Sequence, residues 1–130
     1  MHLDAMGHAD AVVIADAHFP AERLATRLVT LPGLLATDVL RAVRSVVPLD
    51  DAPSVDLMIS DGGERLPIQD ELVAAAGAGD DDVRFLARHD FYGVAAGAYA
   101  VIRTGETRAY GNGILRKGLV TAAQPGGGQG

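Results

Sequence analysis

Gly7 to Pro20 reads GHADAVVIADAHFP, and the centre of this stretch decides the fold. Ala11 to Ala15 is a run of Ala, Val and Ile without a polar side chain, closed on either side by Asp10 and Asp16. A short apolar run of this kind, rich in β-branched residues, predicts a strand buried on both faces, as in a parallel sheet covered by helices. His8 and Asp10 precede the strand; Asp16 and His18 follow it. Ligands of open α/β sheets gather beyond the carboxyl ends of strands, which places Asp16 and His18 where chemistry is usually done and His8 at the other end. A strand of five or six residues spans roughly 17–20 Å, too far for His8 and Asp16 of one chain to touch. Either the chain before the strand folds back, or a site using both is shared between subunits. Without a catalytic role, His8 would simply end a helix, where a cation favours the dipole, and Asp16 would cap a turn.

Before this strand, Met1 to Met6 reads as the end of a helix stopped at Gly7. Beyond it, Ala21 to Arg27 is expected to be helical or irregular surface, and Leu28 to Leu31 a short second strand. From Leu34 to Val47, Leu35, Val39, Leu40, Val43, Val46 and Val47 recur at spacings of three and four, which predicts an amphipathic helix stopped by Pro48. Leu49 to Ser54 is a loop, Val55 to Ser60 a strand, and Asp61-Gly62-Gly63 the turn after it. Pro67 suits the first turn of a helix running to about Ala76, and Gly77 to Asp82 reads as a flexible acidic linker. Val83 to Ala87 is a further strand, Asp90 a cap for a short helix, Tyr99 to Thr104 a strand, and Ile114 to Val120 a last one. The fold class is therefore α/β, a mostly parallel sheet sandwiched by helices, with one domain over residues 1–121 and a Gly-rich tail, 122–130, expected to be disordered.

Composition narrows the functional classes. One core of ordinary size fits 130 residues, and 48% hydrophobic with 22% charged residues is the balance of a soluble globular protein. No apolar stretch is long enough to span a bilayer, and the start MHLDAMGHAD lacks a secretory pattern. The absence of cysteine removes disulfides, thiolate metal sites and cysteine nucleophiles, and fits a cytoplasmic setting. A net charge of −6 and 5% aromatic content argue against a nucleic-acid partner. Arg103, Arg108, Arg116 and Lys117 read as solvated or interfacial charges, and Tyr99 as packing.

Polar groups collect near the end of the chain. Arg88 and Tyr92 lie one helical turn apart and can face one pocket. Gly105 and Gly111 permit tight turns, and Tyr110 and Asn112 put a phenol and an amide on a loop at a sheet end. Such groups suit a polyhydroxylated ligand.

Three stretches, GHADAVVIADAHFP (7–20), LLATDVLRAVRSVVPLD (34–50) and RHDFYGVAAGAYAVIRTGETRAYGNGILRKG (88–118), together resemble the RbsD/FucU family of ribose pyranases and L-fucose mutarotases. Within it, DAHFP, the Phe91–Tyr92 pair and Tyr110-Gly111-Asn112 are most similar to the fucose branch, whereas the ribose branch tends to carry a DAGLP-like loop and YAN. The resemblance implies a three-layer α/β/α fold and anomer interconversion of a reducing monosaccharide without a cofactor or metal. It implies His8 as the catalytic histidine, supported by Asp16, with Arg88, Tyr92, Tyr110 and Asn112 holding the sugar. It also implies a homo-oligomeric ring, often a decamer of two pentamers, with sites at subunit interfaces. The chain departs from the family in its short segment before Gly7, which puts ring assembly in question, and in Gly93, where an acidic residue commonly follows the Phe-Tyr pair.

The chemistry agrees with the residue types. Mutarotation needs a base for the anomeric hydroxyl and an acid for the ring oxygen; an imidazole with pKa near 6.5 serves as either, and Tyr110 can relay a proton. Three other readings compete: a ribose-type pyranase using the same chemistry, a non-catalytic monosaccharide-binding module, and a metal hydrolase built from His8, Asp10, Asp16 and His18. The last needs ligands from opposite ends of one strand.

Overall fold

A computed structural model describes residues 11–46 and 54–116. The sheet is six-stranded, in the order β2-β5-β1-β6-β3-β4, with β1 at Ala11–Ala15, β2 at Leu28–Leu31, β3 at Ser54–Met58, β4 at Val83–Leu86, β5 at Ala100–Thr104 and β6 at Gly113–Arg116. β6 runs antiparallel to both β1 and β3, and every other pairing is parallel. The apolar run thus lies between β5 and β6, every residue of it buried. Burial on both faces explains why it carries no alternation of polar and apolar residues. At the edges, β2 and β4 are only partly buried, as strands with one open side should be.

Alternation along the strands divides the core into two layers. Val12 and Ile14 point to a cluster closed by α2 (Ala36–Val46) and α3 (Pro67–Ala76). Ala11, Val13 and Ala15 point the other way, to a cluster closed by α1 (Ala21–Leu24) and α4 (Arg88–Ala96). The expected three-layer, mostly parallel arrangement is what the chain forms.

Several local expectations change in detail. α2 begins at Ala36 and buries Val39, Leu40 and Val43, while Leu35 and Val46 of the predicted stripe stand 47% and 59% exposed because they lie at or beyond its ends. Asp90 does not cap α4: the first intrahelical bond runs from the Phe91 N–H to the Ala87 carbonyl at 2.9 Å, so Ala87 is the cap and Asp90 lies in the first turn. The acidic linker contains order, with Gly77 in the left-handed conformation at φ 70° ending α3 and a 3-10 turn over Asp80–Asp82. Arg116 is no free surface charge. Its guanidinium shares the fully buried Asp56 carboxylate with Arg84, at 3.0 Å and 2.9 Å. The expected N-terminal helix, the loop before β3, the end of the last strand and the tail fall wholly or largely outside the described residues.

Candidate active site

The site begins where β1 ends. Asp16 is the first residue after the strand and is only 3% exposed. Its own N–H donates to Asn112 Oδ1 at 2.7 Å, and its Oδ1 accepts the N–H of His18 at 2.9 Å, so the polar groups of the turn are satisfied locally. Burial raises the Asp16 carboxyl above the ordinary aspartate range, opposed by the amides of His18, Gly111 and Phe19 and by the His18 side chain. The carboxyl is therefore easier to protonate than an exposed one.

The partner loop from Gly105 to Asn112 is clamped to this turn by β5. Thr104 Oγ1 donates to the Ala15 carbonyl at 2.8 Å and accepts the Glu106 N–H at 3.1 Å, while the Ala17 N–H donates to the Glu106 carbonyl at 2.8 Å. Glu106 is 2% exposed and holds Arg108 Nε at 2.9 Å; that cation keeps its carboxyl below the usual glutamate range, and Arg108 extends to Glu71 on α3. Two glycines fit this fold closely. A Cβ on Gly105 would overlap the Pro32 carbonyl, and one on Gly111 would stand 2.9 Å from Glu106 Cγ. Tyr110 adopts φ 63°, an uncommon conformation for a residue other than glycine, maintained by the bonds on either side of it.

These elements enclose a cavity of about 290 Å³ lined by Asp16, Arg88, Tyr92, Tyr110 and Asn112, together with His18, Phe19, Met58, Asp61 and Ala109. Arg88 joins the two tyrosines: Nη1 donates to the Tyr92 hydroxyl at 3.3 Å and Nη2 to that of Tyr110 at 3.1 Å. The one-turn spacing of Arg88 and Tyr92 thus places both on the cavity. Phe19 packs edge-on against Tyr92 and Phe91, with centroids 5.6 and 5.9 Å away, which fixes the apolar wall. The Tyr110 phenol is raised above its ordinary pKa, chiefly by the nearby Asp61 carboxylate, with Arg88 acting the other way.

Of the residues singled out in the sequence, Asp16, Arg88, Tyr92, Tyr110 and Asn112 meet in this one cavity. His8 lies outside the described residues. His18 lines the cavity with an exposed side chain. Among the described residues, no three His, Cys, Asp or Glu side chains gather as a metal-binding group. Sequence reasoning missed Asp61, Met58 and Glu106. Asp61 was visible only as a turn residue, although its place just beyond a strand's carboxyl end is the signal that marked Asp16.

An α/β sheet with a half-polar cavity at the carboxyl end of its central strand defines a small-molecule site of the open-sheet class. The chain belongs to the RbsD/FucU family, described as the RbsD / FucU transport protein family, which matches residues 1–120. Among solved structures it is similar to the fucose mutarotase of Streptococcus pneumoniae in complex with L-fucose, at 34% identity, TM-score 0.79, over 92% of this chain and 89% of that one. FucU from Bifidobacterium longum matches at 37% identity, TM-score 0.79, over 92% and 91%. RbsD of Bacillus subtilis, complexed with D-ribose, matches at 25% identity, TM-score 0.73, over 92% and 89%.

Proposed function

We propose that this protein is a sugar mutarotase that interconverts the α and β anomers of a reducing monosaccharide, with L-fucose or a related deoxy sugar as substrate. The observation that carries this reading is the convergence of Asp16, Arg88, Tyr92, Tyr110 and Asn112 on one cavity of about 290 Å³, beside a family relation to fucose mutarotases. The higher identity to the fucose proteins, 34–37% against 25% for the ribose-bound relative, favours the fucose type over a ribose pyranase.

In this mechanism a base removes the proton of the anomeric hydroxyl while an acid protonates the ring oxygen. The bond between the anomeric carbon and the ring oxygen breaks, the aldehyde group turns about its C1–C2 bond, and the freed hydroxyl re-adds to either face of the carbonyl, giving its proton back to the acid while the carbonyl oxygen regains a proton from the base. Asp16, buried and easier to protonate than an ordinary aspartate, suits exchange of a proton with an imidazole, and His8 supplies that imidazole. Tyr110 hydrogen-bonds the ring or relays the proton. Arg88, Tyr92 and the Asn112 amide hold the hydroxyls. No cofactor is required by this chemistry. In this reading the chain works as a cytoplasmic homo-oligomeric ring in which His8 of one subunit meets Asp16 of another, and residues 1–121 form the working domain.

Exchange NMR on the anomeric protons of L-fucose, L-rhamnose and D-ribose tests the reading. Magnetisation transfer between anomers is expected with the protein and is expected to vanish for His8→Ala and Asp16→Asn. Full exchange in His8→Ala removes the histidine from the mechanism. Sugar binding without any acceleration makes the protein a binding module.

A further inference from the structure

The cavity contains a carboxylate for which the mechanism above has no use. Asp61 follows β3 in a turn closed by the Gly63 N–H on the Ser60 carbonyl at 2.9 Å, and Ser60 Oγ braces it by donating to the Glu64 carbonyl at 2.8 Å. Its strand is anchored below: Met58 is 2% exposed, and its carbonyl accepts Nε2 of the buried Gln69 at 2.7 Å. The turn is therefore a fixed platform, yet the Asp61 side chain stands 92% exposed at the mouth of the cavity. Its Oδ1 lies 3.8 Å from Arg88 Nη2, the same nitrogen that reaches the Tyr110 hydroxyl at 3.1 Å.

A monosaccharide presents O–H groups that donate as well as accept, and a site that only donates leaves those protons unpaired, at a cost in affinity. Arg88 can only donate. Asp16 is engaged by the His18 amide and lies deep, next to the proposed acid–base chemistry. Asp61 brings acceptor capacity to the outer part of the cavity, where sugars differing in hydroxyl configuration are told apart.

Resting on the mutarotase reading, we propose that Asp61 is a sugar-contacting, specificity-determining residue: its carboxylate, at the mouth of the cavity beside Arg88, accepts hydrogen bonds from sugar hydroxyls. The groups facing Tyr110 are Asp61 from the turn after β3, and Arg88 and Tyr92 from α4; Asp16 and His18 line the same cavity.

The test compares wild type with Asp61→Asn and Asp61→Ala. Because Asp61 is exposed, both variants are expected to fold with little change in stability. The KM of L-fucose is expected to rise roughly 10- to 100-fold, the loss of a hydrogen bond to a charged group, while kcat stays within about threefold. The ranking of L-fucose, L-rhamnose and D-ribose is expected to change. In a tyrosine absorbance titration referenced to Tyr110→Phe, the Tyr110 phenol is expected to ionise at lower pH in Asp61→Asn, a shift that a purely structural turn residue would not produce. Unchanged KM for all three sugars with an unchanged phenol titration overturns the assignment. If wild type binds a sugar without accelerating exchange, the mutarotase reading fails, and calorimetric affinities of wild type and Asp61→Asn still decide the role of Asp61. If wild type binds none of the three sugars, both fall.

Discussion

The two faces of the sheet are made from different side chains. Toward α2 and α3 the central strands send Val12, Ile14, Val55, Leu57 and Leu115, and helix residues such as Leu40 and Leu72 meet them with no exposed surface. Toward α1 and α4, β1 sends the small residues Ala11, Val13 and Ala15 between Met58, Val101 and Ile114 of the neighbouring strands, and Phe19 and Phe91 pack over them. The first face is mainly apolar, with a shallow apolar groove between α2 and the β2–β5 edge lined by Leu31, Val39, Val43 and Ile102. On the second, aromatic rings lean edge-on against one another, and where they stop the cavity opens beside Tyr92. The difference teaches that the two faces are put to different uses: α2 and α3 close one with a mainly apolar layer, and the other holds a buried carboxyl at Asp16 beside the cavity.

The sharpest way to break the comparison is Asp16→Asn. The rate of anomer exchange is expected to fall by about 10²- to 10⁴-fold, the usual contribution of an acid–base group. Stability is expected to move the other way. The folded carboxyl is raised, so folding pays for its ionisation: that penalty is complete above the folded pKa and fades as pH falls to the ordinary aspartate value. Thermal melts should therefore show Asp16→Asn more stable than wild type at pH 7, with the gap closing in acid, because the asparagine Oδ1 still accepts the His18 amide.

On the α2–α3 face, Leu40→Ala is expected to cost about 2–5 kcal/mol by urea unfolding, the range for emptying a close-packed leucine site. The sugar affinity of the folded fraction should not change, since Leu40 lies in the opposite cluster from the cavity. Phe19→Leu tests the boundary between the faces: losing two edge-on contacts is expected to cost about 1 kcal/mol and to weaken sugar binding, because Tyr92 loses its support. The smallest effect belongs outside both layers. Arg41→Ala removes an exposed pair with Asp38, at 3.3 Å, and is expected to change stability by no more than about 0.5 kcal/mol.

Much of this organisation was legible in the chain. The five residues of β1, the edge strand Leu28–Leu31 and the helix Pro67–Ala76 lie where the apolar run, the β-branched stretch and the proline place them. Those signals are local, and local periodicity and turn chemistry report them faithfully. Legibility ended where a partner came from far along the chain. Asp56 looked like one polar residue in a strand; its burial depends on Arg84, opposite it on β4, and on Arg116, opposite Ser54 on β6 and reaching across diagonally, and only the strand pairing brings them there. Glu106 likewise gave no signal by itself, because its role is to join the β1 turn to Arg108.

By itself the sequence determined most of the elements, the apolar centre and six of the residues that line the cavity, because propensity, spacing and motif all act within a few residues. The tertiary structure alone decided that Asp61 stands with them, that Asn112 holds the Asp16 turn and that Arg88 bonds both Tyr92 and Tyr110. These contacts arise from the order β2-β5-β1-β6-β3-β4, which brings distant turns to one end of the sheet, and no local pattern of residues encodes that order.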